Sequence, residues 1–188
     1  MIKSQIVLGD ETLHFSYLFS TKDRVMLENY FKFKHKYDYV LSDAEYLELE
    51  KIALNAFGQY DVVFYPESTG KHLARLAKTL GKEAVVIPKN SKETIKALVS
   101  QQQMMKAERV SLMNCIDHDM NGSFQINKVK GNQRKRFRNI LFQKVDVSNY
   151  LDLNVLLLDD SVFSGETLIA LKNALDIDCD VNVLYSKY

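Results

Sequence analysis

At 188 residues, 46% hydrophobic and 26% charged, the chain is long enough to bury a full core and short for two ordinary domains. A net charge of +1 and a pI near 7.7 exclude a strong global pull toward nucleic acid or membrane, so partners must be argued from local clusters. Two cysteines, Cys115 and Cys179, exclude a disulfide-built fold and read as reduced, buried side chains of an intracellular, cytoplasmic protein.

The N-terminal stretch through Gly9, Asp10 and Glu11 has no long apolar run, which predicts neither a signal peptide nor a membrane span. Aromatic residues recur at helical spacing through 23–34. The apolar run 60–65 reads as a buried strand, closed by a loop that Pro66 and Gly70 bracket. Leu73, Leu76, Ala77 and Leu80 then mark one helix face, Gly81 offers a stop, and 84–88 reads as the next strand, completing a βαβ unit. Helical spacing resumes over 91–106 with Ile95, Leu98, Val99 and Met105. A strand is expected over 110–115, and a hairpin around the Asn121-Gly122 turn within 124–147. The last elements are a strand at 155–158, a helix over 166–175 carrying Leu168, Leu171 and Leu175, and a strand at 181–185.

The most informative stretch is VLLLDDSVFSGETL, residues 155–168. Val155-Leu156-Leu157-Leu158 lacks polar alternation, as a central parallel strand covered on both faces requires. Asp159 and Asp160 are expected at its carboxyl end, where open α/β sheets place their ligand crevice. The segment Ser161-Val162-Phe163-Ser164-Gly165-Glu166-Thr167 reads as a loop opening a helix, with Gly165 allowing tight backbone geometry and N–H groups available to a phosphate. Paired carboxylates accept hydrogen bonds from vicinal hydroxyls, and the loop suits a phosphate dianion; a sugar phosphate satisfies both. A nucleoside triphosphatase would need GxxxxGK[ST], but Tyr65 stands where the first glycine belongs and His72 follows Gly70-Lys71. Acids that merely cap the next helix are the structural alternative.

The order of four apolar residues, two acids, three variable residues, Ser, Gly, one variable residue and Thr resembles the signature of phosphoribosyltransferases that use phosphoribosyl pyrophosphate. The resemblance implies a three-layer α/β fold with a mainly parallel sheet in a single domain. Residues 1–58 would form a lead-in and hood, including a helix over 44–57, and 59–188 the core. It makes Asp159 and Asp160 the catalytic acids that hold the ribose hydroxyls, and 161–167 the 5′-phosphate loop, with Ser164 and Thr167 as its hydroxyls. It also makes Tyr65-Pro66-Glu67-Ser68-Thr69-Gly70-Lys71 the pyrophosphate loop, and the substrate a magnesium complex, with no protein metal ligand assigned. Segment 23–34 is similar to the aromatic lead-in of the ComF-like competence-associated members. Their cysteine-rich zinc module, and their Pro-x-Pro with a following Arg-Gly, have no counterpart here. Phe163 stands where purine-salvage members carry an acid, which argues against a hypoxanthine-guanine type of acceptor.

A basic stretch, with Lys128, Lys130, Arg134, Lys135, Arg136 and Arg138, admits three uses. Lys130, Arg134 and Arg136 could close over departing pyrophosphate, the stretch 128–138 could contact nucleic-acid phosphates, or it could be a solvated surface. Cys115, Asp117, His118 and Asp119 lack the spacing of a zinc site, and His14, His35 and His72 have no recognisable partners in the sequence. The resulting expectation is transfer of ribosyl phosphate to an acceptor with release of pyrophosphate. The alternative is a non-catalytic nucleotide-sensing or DNA-uptake accessory module on the same fold. Whether the chain acts as a homodimer stays open at this level.

Overall fold

The computed structural model describes the chain except for residues 35–38, 68–70, 119–123, 125 and 127–128. Its contacts divide it into two units: Met1–Val86 with Asp146–Gly165 and Ile177–Tyr188, and Ile87–Val145 with Glu166–Asp176. The first holds a six-stranded, mostly parallel sheet flanked by helices, so the chain belongs to the α/β class.

The sheet starts with a hairpin that the apolar-run reading of the N-terminus did not anticipate. β1 (Ile2–Leu8) and β2 (Glu11–Ser20) pair antiparallel from Ile2↔Tyr17 to Leu8↔Glu11, around a two-residue turn in which Gly9 takes φ +70°. β2 buries Leu13, Phe15 and Tyr17, the period-two pattern of a half-buried strand. α1 (Arg24–Phe33) and α2 (Asp43–Phe57) follow, then β3 (Tyr60–Pro66), α3 (Lys71–Leu80) and β4 (Gly81–Ile87). β5 (Val155–Val162) and β6 (Asp180–Ser186) complete the sheet in the order β1-β2-β6-β5-β3-β4. β2 pairs parallel with β6, β6 with β5, and β5 with β3.

β5 is interior, with Val155 to Asp160 all buried. Leu156 and Leu158 join Tyr46, Leu49, Ala53, Phe57, Leu73, Leu76 and Leu80 in one apolar cluster. One face of β5 is therefore sealed by the helices that precede and follow β3. A fully apolar strand is stable only when both faces are covered in this way.

α2 begins with a capping box: Ser42 Oγ accepts from the Glu45 amide at 3.3 Å, and Glu45 Oε2 accepts from the Ser42 amide at 2.9 Å. Lys32 of α1 donates to the other Glu45 oxygen, coupling the two helices. The Lys32 ammonium first, and then the Ser42 hydrogen bonds, lower the Glu45 pKa from 4.5 to about 2. A carboxylate with a depressed folded pKa contributes stability that is complete above its unfolded value and lost as pH falls through its folded one. Glu45→Gln should therefore flatten the acid limb of the stability curve between pH 4.5 and about 2. Urea unfolding at a series of pH values checks this, and an unaltered slope would contradict it.

The second unit contains α4 (Lys92–Gln101), α5 (Lys106–Asp117), a 3-10 helix (Gly131–Phe137) and α6 (Glu166–Leu175). Here the sequence reading needs three corrections. The helix expected over 91–106 breaks at 102–105, although no glycine or proline intervenes. Tertiary bonds hold the break open: the Gln102 side chain donates to the Arg136 carbonyl at 2.9 Å, and Arg109 donates to the Gln102 carbonyl at 3.0 Å. The strand expected over 110–115 is part of α5, because Leu112 and Ile116, four residues apart, share the buried face while Val110 is 51% exposed. The hairpin expected within 124–147 is replaced, over Gly131–Phe137, by the 3-10 helix. Phe142 instead makes an isolated antiparallel bridge to Lys89, and the Asn90 amide side chain bonds to the Ile140 and Phe142 carbonyls. The Asn121-Gly122 turn lies outside the described residues. Cys115 and Cys179, expected to be buried, are both only half-buried in the folded chain.

Candidate functional site

The expected strand-to-loop boundary after Asp160 lies two residues too early. Ser161 and Val162 remain in β5, in register with Tyr185 and Ser186 of β6, and Phe163, Ser164 and Gly165 alone separate β5 from α6. The two acids therefore sit inside a strand, each 5% exposed. Successive strand residues point to opposite faces, so Asp160 shares the face of Leu156 and Leu158, while Asp159 shares that of Val155 and Leu157. The acids are linked through the backbone, where the Asp160 amide donates to Asp159 Oδ1 at 2.8 Å.

Asp160 is the centre of a polar network. The Ser161 hydroxyl donates to its Oδ1 at 2.7 Å, and the Lys34 ammonium forms an ion pair with its Oδ2. Ser161 also lies 3.4 Å from the Tyr30 hydroxyl. Burial works against the Lys34 ammonium, but the Asp160 carboxylate more than offsets it and holds the lysine above its ordinary pKa. Burial and then Asp160 push Tyr30 upward as well, so this phenol stays protonated at neutral pH. The Tyr30 ring packs on Phe163 and Tyr185, at centroid distances of 5.3 and 5.5 Å. Sequence reasoning missed Lys34. It lies 126 positions from Asp160, and only the aromatic helix before it hinted at a nearby structured element.

In the short loop, Phe163 is 37% exposed and Ser164 half-buried. Gly165 takes φ +80°, as the tight geometry read from the sequence requires, but its immediate neighbours are apolar. A Cβ there would meet Ile6 Cδ1 at 2.8 Å and Leu8 Cδ1 at 3.3 Å. The glycine thus lets the loop lie against β1. Gly165→Ala should lower stability by at least about 1–2 kcal/mol from the left-handed backbone alone, measured by urea unfolding. No loss would show that the loop can change conformation at little cost.

In the second unit, Glu166 opens α6 and is buried, with its carboxylate gripped by Arg138: Nε–Oε2 is 2.7 Å and Nη2–Oε1 is 3.2 Å. Thr167 is half-buried on the same helix. The basic stretch is largely engaged with its own unit. Arg136 makes two bonds to Glu108, at 3.0 and 3.2 Å, and Arg134 donates to the Val129 carbonyl at 2.9 Å. Lys130 and Lys135 are exposed, and Lys128 lies outside the described residues.

Of the expected pyrophosphate loop, Tyr65 and Pro66 end β3, Glu67 is exposed and Lys71 starts α3; Ser68, Thr69 and Gly70 lie outside the described residues. β3 and β5 are parallel neighbours, with Val62↔Val155 and Phe64↔Leu157, so both loops leave the same edge of the sheet. Beyond β3 the row continues with β4, and beyond β5 with β6, which makes the β3/β5 junction the point where the strand order reverses. Ligand crevices of open α/β sheets lie at such points.

His72, without an evident partner in the sequence, stacks on Tyr46 at 5.2 Å, and the Arg75 guanidinium lies 3.9 Å from the same Tyr46 ring centroid. Asp117 pairs with Lys96, and Asp119 and His35 lie outside the described residues. Among the described residues, no three His, Cys, Asp or Glu side chains gather to hold a metal ion. Magnesium demands near-octahedral oxygen coordination, whereas the Lys34 ammonium already stands against one Asp160 oxygen and would repel a cation bound there. These side chains do not fit a divalent cation bound directly to the protein at Asp160. No helix among the described residues is long and apolar enough to cross a membrane. No protein-family profile, curated protein or solved structure matches the chain at a significant level.

Proposed function

We propose that the chain binds phosphoribosyl pyrophosphate, taken up as its magnesium complex, and transfers the ribosyl phosphate to a nucleophilic acceptor. The observation that carries this reading is the placement of two buried, adjacent carboxylates on the central strand at the reversal of strand order, with a short glycine loop closing the same strand. The phosphoribosyltransferase fold and the cytoplasmic setting belong to the same proposal.

In this reading Asp159 and Asp160 accept hydrogen bonds from the ribose diol. An ionised carboxylate has about four lone-pair sites, so the bonds Asp160 already accepts leave capacity for a hydroxyl. The 5′-phosphate would take backbone N–H groups of the glycine loop, and the diphosphate those of the loop after β3. The acceptor's lone pair would form a bond to the anomeric carbon as the bond from that carbon to the diphosphate oxygen breaks. The electron pair departs with pyrophosphate. The chain contributes position and electrostatics to this step rather than a covalent intermediate.

Calorimetric titration with magnesium phosphoribosyl pyrophosphate, followed by a pyrophosphate-release assay across nucleobases, nucleosides and ammonia, tests the proposal. Saturable binding with turnover on one acceptor is the expected result, and absence of binding would overturn it. A second reading draws on the Lys34–Asp160 pair, which already satisfies one site acid from within the chain. It is a module that binds the sugar phosphate and does not turn it over, as a nucleotide sensor or DNA-uptake accessory would. Binding without pyrophosphate release on any acceptor would favour it.

A further inference from the structure

Lys34 is the C-terminal cap residue of α1, where the partial negative charge of the helix end favours a cation. Its side chain is 28% exposed, whereas that of its partner Asp160 is only 8% exposed. The lysine engages one oxygen of the carboxylate, and Ser161 anchors the other. A buried carboxylate needs a compensating charge. In a sugar-phosphate site that charge can come from a metal ion or from the chain. Here the chain supplies it, on an oxygen that a divalent cation would otherwise use.

We propose that Lys34 is the resident counterion of this site: it neutralises and orients Asp160, so that the protein holds no divalent cation of its own there and magnesium enters only on the diphosphate. The proposal rests on the sugar-phosphate reading for its ligand, but not for its cation chemistry. Lys34 is then a positioning residue, acting on the ribose through Asp160. A ligand without a diphosphate, such as ribose 5-phosphate, should bind equally well with magnesium or with a chelator present. Removing the ammonium leaves a carboxylate whose neutralising charge must come from solution, and removes the like charge that repels a metal ion from it.

Manganese titration of the free protein, followed by electron paramagnetic resonance, tests this directly. The wild type should take up no Mn²⁺ that is sensitive to Asp160→Asn. Lys34→Gln and Lys34→Met should each gain a site about tenfold or more tighter than any in the wild type, because a repelling unit charge is gone. That site should vanish when Asp160→Asn is added. Lys34→Arg, which keeps the charge, should behave as the wild type. Two results overturn the proposal: Asp160-dependent Mn²⁺ binding by the wild type, or no gain in a folded Lys34→Gln protein. The wild-type measurement decides even if both neutral variants unfold. In parallel, ribose 5-phosphate binding should be insensitive to chelator in the wild type and become magnesium-dependent in Lys34→Gln. If the wild type binds no sugar phosphate under either condition, the sugar-phosphate reading fails, while the Mn²⁺ result still answers for the counterion.

Discussion

Arg138→Met is expected to lower the stability of the protein by about 3–5 kcal/mol, the usual consequence of removing one partner of a buried ion pair. The Arg138 and Glu166 side chains are 13% and 8% exposed, and two hydrogen bonds join them, so the substitution would strand the Glu166 carboxylate away from water. Combining Arg138→Met with Glu166→Gln should recover much of the loss, since the neutral amide has less need of a cation. Urea unfolding of the four proteins of this double-mutant cycle measures the coupling. A loss below about 1 kcal/mol would place the pair with ordinary surface salt bridges. A large one would take Arg138 out of any ligand-facing set and make it an internal support of α6.

Asp159→Asn and Asp160→Asn are each expected to weaken binding of phosphoribosyl pyrophosphate roughly ten- to hundredfold, because a hydrogen bond to a charged acceptor is worth about 1.5–3 kcal/mol. Both amides are nearly isosteric with the acids, so the packing of β5 should survive. Asp160→Asn leaves the Lys34 ammonium without its carboxylate, but that side chain is 28% exposed and its long stem can carry the charge to water. Calorimetric titration alongside thermal unfolding separates lost affinity from lost fold. If both variants fold and bind as the wild type does, the diol assignment fails for both acids.

Some of the architecture was legible because it rests on local pattern. The run Val155-Leu156-Leu157-Leu158 is interior strand, α3 carries Leu73, Leu76, Ala77 and Leu80 on its buried face, and α6 spans the residues that its leucine spacing marked. The N-terminal hairpin was readable too, since Leu13, Phe15 and Tyr17 alternate and Gly9-Asp10 supplies the turn. Local pattern misled where both periods fit a short apolar piece, as at Val110, which is exposed on α5. The break at 102–105 has no sequence signal, because the groups that satisfy its backbone, Arg109 and Arg136, come from elsewhere in the unit.

By itself the amino-acid sequence determined the α/β class, the adjacency of two acids to a buried strand and the freedom of a glycine at position 165 to take tight backbone geometry. Each of these follows from properties of neighbouring residues: hydrophobic periodicity, side-chain charge and permitted backbone angles. Tertiary structure alone decided that β5 runs on to Val162 through pairing with β6, and that Gly165 is required against Ile6 and Leu8. It also decided that Arg138 and Arg136 are committed to Glu166 and Glu108, and that Lys34 neutralises Asp160. These pairings join residues 24 to 159 positions apart, and whether a charge is spent inside the chain or left for a ligand depends on which distant group the folded backbone brings to it.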